Sequence, residues 1–300
     1  MLRRLLLLSS LLLISNLFYG QIVTKNYESD EFQTLLKSEL NIILSGKAGY
    51  DTLLKEAVRK YWKVTEYKFI TKKDALYAVK DESKSFMFPM KLQEVKQTSY
   101  GPESSMNHKF WLTIVIGGEK RISKYNDNDV IVLSPLNYWC DEKNIKDASY
   151  RIDYIIKGMN DGISIVRDNK ISDGYLKRIN AVIDEINTNS NQIEEKTLII
   201  NADAIFTVEY PLSTTIKKIY KEKDFKKDYP YKYKFVDEAE YLEIVQGNSS
   251  EYLIMLMVIE VNTHILIYDP SSRKTVYYGF KTSGTTFKKG DIKDLLQCNK

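Results

Sequence analysis

The sequence predicts an α/β protein with mixed sheets (α+β in detail), built as two tandem related β-α-β-α-β-β-β-α domains joined by a helix. Three observations carry this. The chain repeats itself: Tyr67-Lys-Phe-Ile through Met90 aligns without a gap on Tyr233-Lys-Phe-Val through Leu256 at a constant offset of 166, with six of 24 positions identical. A period this long marks a duplicated structural unit. Short β-branched runs also alternate with stretches whose apolar residues recur three and four apart, as strands followed by helices do. Finally, 300 residues with 43% hydrophobic and 28% charged side chains can bury one large core or two ordinary ones. With 13 Gly and 6 Pro, collagen-like and Pro-rich classes are excluded.

An amphipathic stretch, Glu31 to Leu40, forms a helical segment (21–40) ahead of the first unit. In that unit (41–170), Ile42 to Leu44 reads as a strand and Asp51 to Trp62 as a helix with Leu53, Leu54, Ala57, Val58 and Tyr61 on one face. Tyr67 to Ile70 is the second strand and Lys72 to Val79 the second helix. Strands follow at Ser85 to Leu92, Lys109 to Ile116 and Val130 to Leu133, with Gly117-Gly118 as a hairpin turn. Ile152, Ile155, Ile156, Met159, Ile163 and Val166 make a closing helical stripe behind an Asp147/Ser149 cap. Gly158 and Gly162 weaken it, and a strand pair turning at Asn160-Asp-Gly is the competing reading. The connecting segment (171–196) holds a helix carrying Leu176, Ile179, Ile183 and Ile186, then a polar linker.

The second unit (197–300) reads in the same order. Thr197 to Ile200 is a strand, and Ser213 to Glu222, with Ile216 and Ile219 three apart, is expected as a helix. Tyr231 to Val236 is a strand, Asp237 to Gln246 a short helix, and Tyr252 to Ile259 a buried strand. Thr263 to Tyr268 and Lys274 to Gly279 flank the turn Asp269-Pro-Ser-Ser-Arg, and Asp291 to Gln297 closes the chain as a helix. In each unit two early crossovers demand parallel neighbours, and a later meander demands antiparallel ones.

The first twenty residues (1–20) read as an address. Met1-Leu-Arg-Arg is a basic start, and Leu5 to Phe18 is an apolar run too short to span a bilayer. A cleaved signal peptide is expected, with Gln21 as the new N-terminus and no stable transmembrane span after cleavage, placing the protein in a periplasm or outside the cell; an uncleaved Leu5 to Phe18 segment that keeps the protein at the membrane is the alternative. Cleavage removes Arg3 and Arg4 from the 44 basic residues, which then exceed the 40 acidic ones by two. So small an excess gives no reason to expect nucleic acid as a partner. Cys140 and Cys298 are the two cysteines; their separation fixes neither a disulfide nor two free thiols.

Tyr-Lys-Phe-Val, a short helix, a turn, Glu251-Tyr-Leu-Ile and a strand pair ending Val276-Tyr-Tyr-Gly resemble the TolB amino-terminal and CsgG-like envelope domains. The Lys/Ile/Asn/Tyr bias, the leader ending Phe-Tyr-Gly-Gln and Lys60-Tyr-Trp-Lys are similar to exported proteins of Bacteroidota. The first resemblance implies a non-enzymatic envelope or assembly role.

Candidates for chemistry are few. With two histidines, His108 and His264, a zinc site would need carboxylate or thiolate help. His264 sits on an alternating strand, and His108 where a polar loop enters one. A Cys140/His108 nucleophile pair meets adjacent Asp141 and Glu142, which raise a thiol's pKa, the opposite of activation. Gly284 to Gly290 lacks the Lys-Ser/Thr of a phosphate loop. Asn126-Asp127-Asn128-Asp129 lacks the central Gly and distal Glu of a calcium loop, so a connecting turn is expected. Lys217, Lys218, Lys221, Lys223, Lys226 and Lys227 are interrupted by acids and read as a solvated helix face. Tyr138, Trp139, Tyr277 and Tyr278 could form a sugar platform, but strand aromatics mostly pack in cores. The sequence therefore points to no catalytic residue, cofactor or metal-ligand set. The expected function is an exported, non-catalytic binding module with a protein or envelope-component partner. A secreted carboxylate hydrolase of glycan or peptide is the alternative, since 40 acidic residues leave room for an acid pair.

Overall fold

A computed structural model describes residues 23–24, 29–92, 95–98, 101–104, 109–118, 121–126, 129–135, 145–171, 175–202, 206–209, 216–259, 263–281 and 287–297. Residues 1–22, His108, Tyr138, Trp139, Cys140, Asp127, Asn128, Gly284 and Cys298 lie outside them.

The first repeat is preceded by a two-residue strand β1 (Val23–Thr24) and helix α1 (Ser29–Lys37). It then runs β2 (Leu40–Ile43), α2 (Ala48–Tyr61), β3 (Tyr67–Ile70), α3 (Lys72–Ala78), β4 (Ser85–Leu92), a hairpin of β5 (Val95–Thr98) and β6 (Gly101–Ser104), β7 (Lys109–Ile116), β8 (Val130–Pro135) and α4 (Ile145–Asp168). Helices α5 (Tyr175–Asn187) and α6 (Gln192–Glu195) lead into the second repeat. This runs β9 (Thr197–Asn201), a hairpin of β10 (Phe206–Glu209) and β11 (Ile216–Ile219), α7 (Glu222–Asp228), β12 (Tyr233–Val236), α8 (Glu238–Gly247), β13 (Tyr252–Ile259), β14 (Thr263–Asp269), β15 (Lys274–Lys281) and α9 (Lys289–Gln297).

The two sheets share one topology. The first is ordered β1-β8-β7-β4-β2-β3 and the second β15-β14-β13-β9-β12. In each, the second, first and third strands of the repeat pair in parallel, and the fourth and fifth antiparallel. The mixed α/β architecture of two similar halves therefore stands, and the offset of 166 holds down to the helix caps. Thr71 caps α3 in a reciprocal box with Asp74, and Asp237 caps α8 by accepting from the Glu240 amide.

Four local expectations are corrected. Residues 216–219 form β11, antiparallel to β10, not a helix over Ser213 to Glu222, and the crossover helix is α7. Two isoleucines three apart fit the ends of a four-residue strand as well as a helix face, and the β-branched run at β10 supplies a partner that local periodicity does not reveal. Lys217 and Lys218 therefore lie on a strand. Gly117-Gly118 is not a tight hairpin: the β7–β8 connection runs on through a 3-10 turn at Ile122–Lys124. Helix α4 begins at Ile145, so Asp147 and Ser149 lie inside its first turns rather than capping it. The strand pair weighed against α4 does not form.

The packing explains why α4 persists through two glycines. On the first sheet, Ile42 and Met87 point to one face, which carries α2, and Ile43, Phe86 and Phe88 to the other, which carries α3. On the second sheet, Leu198 and Ile200 face α7 and α9, while Ile199, Ile254 and Leu266 face α8. The face of the first sheet bearing α2 and the face of the second bearing α8 belong to one continuous core, with α4 between them. The repeats thus stack front to back in five layers: α3, the first sheet, a central helical layer, the second sheet, then α7 with α9. Ile152, Tyr154, Ile155, Ile156, Met159 and Ile163 of α4 are all buried, as a helix flanked by two sheets requires. Its counterpart α9 buries Ile292 and Leu295 but exposes Lys289, Lys293 and Asp294, a polar face that ends the stack.

The edge of β15 is closed from the connecting segment. Asn187 at the end of α5 accepts from the Tyr278 amide through Oδ1 (2.9 Å), and its Nδ2 donates to the Tyr278 carbonyl (3.4 Å). One side chain thus takes the place of a neighbouring strand.

Candidate functional site

A groove of about 430 Å³ opens where the repeats meet, between α4, the C-terminal end of α5 and the start of β15. Its geometry follows from the burial of α4. With the apolar positions of that helix consumed by the two sheets, the remaining stripe is polar and faces outward at Lys157, Asp161, Ser164 and Asp168. Gly158 and Gly162 lie beside this stripe and leave part of the wall without side chains. From Lys157 to Asn169 the wall is about 18 Å long at the helical rise per residue. The other walls present Glu185 near the end of α5, Asn189 in the turn that follows it, and Lys274 and Thr275 from β15.

Several of these charges are committed. Lys157 Nζ donates to Asp161 Oδ2 at 2.6 Å. Asp168 is bound through Arg167 Nε at 2.8 Å, and this hydrogen bond holds its carboxyl below the usual carboxylate range. Glu185 and Lys274 form no ion pair among the described residues.

Beneath the groove lies a second polar cluster that joins the repeats. Thr275 donates to the hydroxyl of Tyr154, whose ring packs on Tyr268 at 4.8 Å, and burial pushes that hydroxyl's pKa up. One turn before Lys157, Asp153 accepts from the Tyr61 hydroxyl (3.4 Å) and faces Arg273 Nε at 4.0 Å. Burial raises the Asp153 carboxyl's pKa, and the nearby charges of Arg273 and Lys60 only partly offset it. Arg273 is 9% exposed and has left-handed backbone (φ 57°). Its Nη2 donates to Asn248 Oδ1 at 2.6 Å, and Asn248 is itself left-handed (φ 52°), while Nη1 is buried with no hydrogen-bond partner. A buried guanidinium on strained backbone persists only where its surroundings over-determine it. Here two left-handed turns of the second repeat are locked against α2 and α4 of the first.

Of the residues singled out by sequence, Tyr277 and Tyr278 are buried at 2% and 1%, so they serve the core and form no platform. His264 lies on β14 opposite Val258 and Phe280. Asn126 and Asp129 close a turn on each other: the Asn126 amide donates to Asp129 Oδ2 and the Asp129 amide to the Asn126 carbonyl. Among the described residues no group of three or more His, Cys, Asp or Glu could hold a metal ion, and no helix is long and apolar enough to cross a membrane. The groove gave one signal in the sequence, the two mid-helix glycines of α4. Arg273, Asp153 and Glu185 gave none, because their meeting depends on the stacking of the repeats.

No family model, curated protein or solved structure matches this chain.

Proposed function

We infer that the protein is an exported binding module of the cell envelope that recognises its partner in the inter-repeat groove without transforming it. The observation that carries this reading is where the groove sits. Its longest wall is a helix buried between two sheets in one continuous core, so its polar groups are carried by a well-packed element, and preorganisation of this kind lowers the cost of binding. The leader-like first twenty residues and the resemblance to envelope domains support an exported location. The carboxylates of the groove suit recognition better than hydrolysis. A general acid needs a raised pKa, whereas Asp168 is held low by its hydrogen bond from Arg167.

Crosslinking in the native cells tests this, followed by purification through a C-terminal tag and mass spectrometry of both partner and N-terminus. The expected result is a chain starting at Gln21 with a stoichiometric envelope partner that is lost in Ser164→Trp, a half-exposed position where the indole fills the groove. A partner retained by Ser164→Trp, or a chain recovered alone, would overturn the reading.

A further inference from the structure

Resting on that reading of the groove, we propose that its ligand is a short zwitterionic peptide, its carboxylate end at Lys274 and its ammonium end at Glu185. The charge inventory selects this class. Lys157 and Asp161 neutralise each other, and Asp168 is bound to Arg167, which leaves one cation on β15 and one anion on α5 uncommitted. A phosphorylated or polyanionic ligand would meet three carboxylates against two lysines, and a simple cation would meet both lysines. A neutral sugar would leave both uncommitted charges unused and would find no aromatic ring among the lining residues. A molecule with a free amine and a free carboxylate satisfies both walls.

Other groups lining the groove suit a peptide backbone. Asn169 Nδ2 donates to the Ile165 carbonyl, and Asn189 Nδ2 to the Ile186 carbonyl and the Thr188 hydroxyl, which leaves the Oδ1 atoms of two lining residues as acceptors for a ligand's N–H groups. The Ser164 hydroxyl is free to donate or accept. Gly158 and Gly162 permit an extended chain to lie close to the helix, and an 18 Å wall accommodates roughly three to five extended residues.

The probe is tetra-alanine, titrated calorimetrically into the full mature chain at low ionic strength, beside its N-acetylated and C-amidated forms. Unmodified tetra-alanine is expected to bind, and blocking either end to weaken binding at least tenfold. In Lys274→Gln the penalty for C-amidation disappears, and in Glu185→Gln the penalty for acetylation disappears; both sites are exposed, so folding is retained. Equal affinity for blocked and unblocked forms, penalties unchanged in the two variants, or no binding at millimolar peptide would each overturn the proposal. Should peptide fail to bind while Ser164→Trp still abolishes partner capture, the ligand class is wrong and the binding-module reading stands. If the partner also survives Ser164→Trp, both fall.

Discussion

Replacing Ile156 by Ala probes whether the repeats share one core. Ile156 is fully buried in α4, between the two sheets. The substitution removes three carbons, about 2.4 kcal/mol at roughly 0.8 kcal/mol per buried methylene. Sheets on both sides of the helix restrict collapse into the space left, so the cavity contribution raises the cost to about 3–4 kcal/mol. For a chain of this size that corresponds to a melting temperature lower by about 5–7 °C. Because the core touching α4 includes Ile199, Ile254 and Leu266 of the second sheet as well as Ile42 and Met87 of the first, the whole transition should move as one. Differential scanning calorimetry of wild type and variant, with circular dichroism at matched scan rates, reads this directly. A two-step melt in which one step keeps the wild-type temperature would refute the shared core and leave the repeats as independent domains.

Two further outcomes are expected. Gly117→Ala would place a Cβ 2.0 Å from the Asp81 carbonyl oxygen, where the Gly117 and Gly118 amides are already bonded to Lys84 and Val79. It should cost about 1–3 kcal/mol in urea titrations, whereas Gly118→Ala, with nothing within 4 Å, should change stability by less than about 0.5 kcal/mol. Burial pulls the Asp269 carboxyl's pKa up, but hydrogen bonds from Ser271 and Lys196 outweigh it and hold the pKa below 3.8. A depressed folded pKa means that this stabilisation is complete above the unfolded value and fades as pH falls through the folded one. The wild type should therefore lose its advantage over Asp269→Asn between about pH 5 and 2; a gap between their urea midpoints that stays constant across this range would contradict the assignment.

The elements that sequence placed well are those whose partners are close in the chain. The parallel triplets and the β13–β14–β15 meander follow from short runs and turn chemistry at Asp269, whose Oδ1 accepts from the Ser271 amide and hydroxyl. The hairpins β5–β6 and β10–β11 escaped because each adds a pair of four-residue strands to a connection, and a strand that short carries too little periodicity to announce itself. Helix α4 was legible as a stripe of isoleucines but ambiguous at its glycines, because propensity argues against a helix there and only burial on both sides supplies the energy to override it.

By itself the sequence determined the duplication, the mixed parallel and antiparallel order within each unit, and an apolar run at Leu5 to Phe18 behind a basic start. These depend on local spacing and on a comparison of the chain with itself. The tertiary structure alone decided that the units stack front to back on a common helix, that Asn187 closes the edge of β15, and that Arg273 is buried against Asp153. It also decided that the leftover polar stripe of α4 becomes one wall of a groove with Glu185 and Lys274 on the others. Each of these joins residues far apart in sequence, and nothing in the spacing of either partner encodes a meeting that the burial of two sheets against one helix brings about.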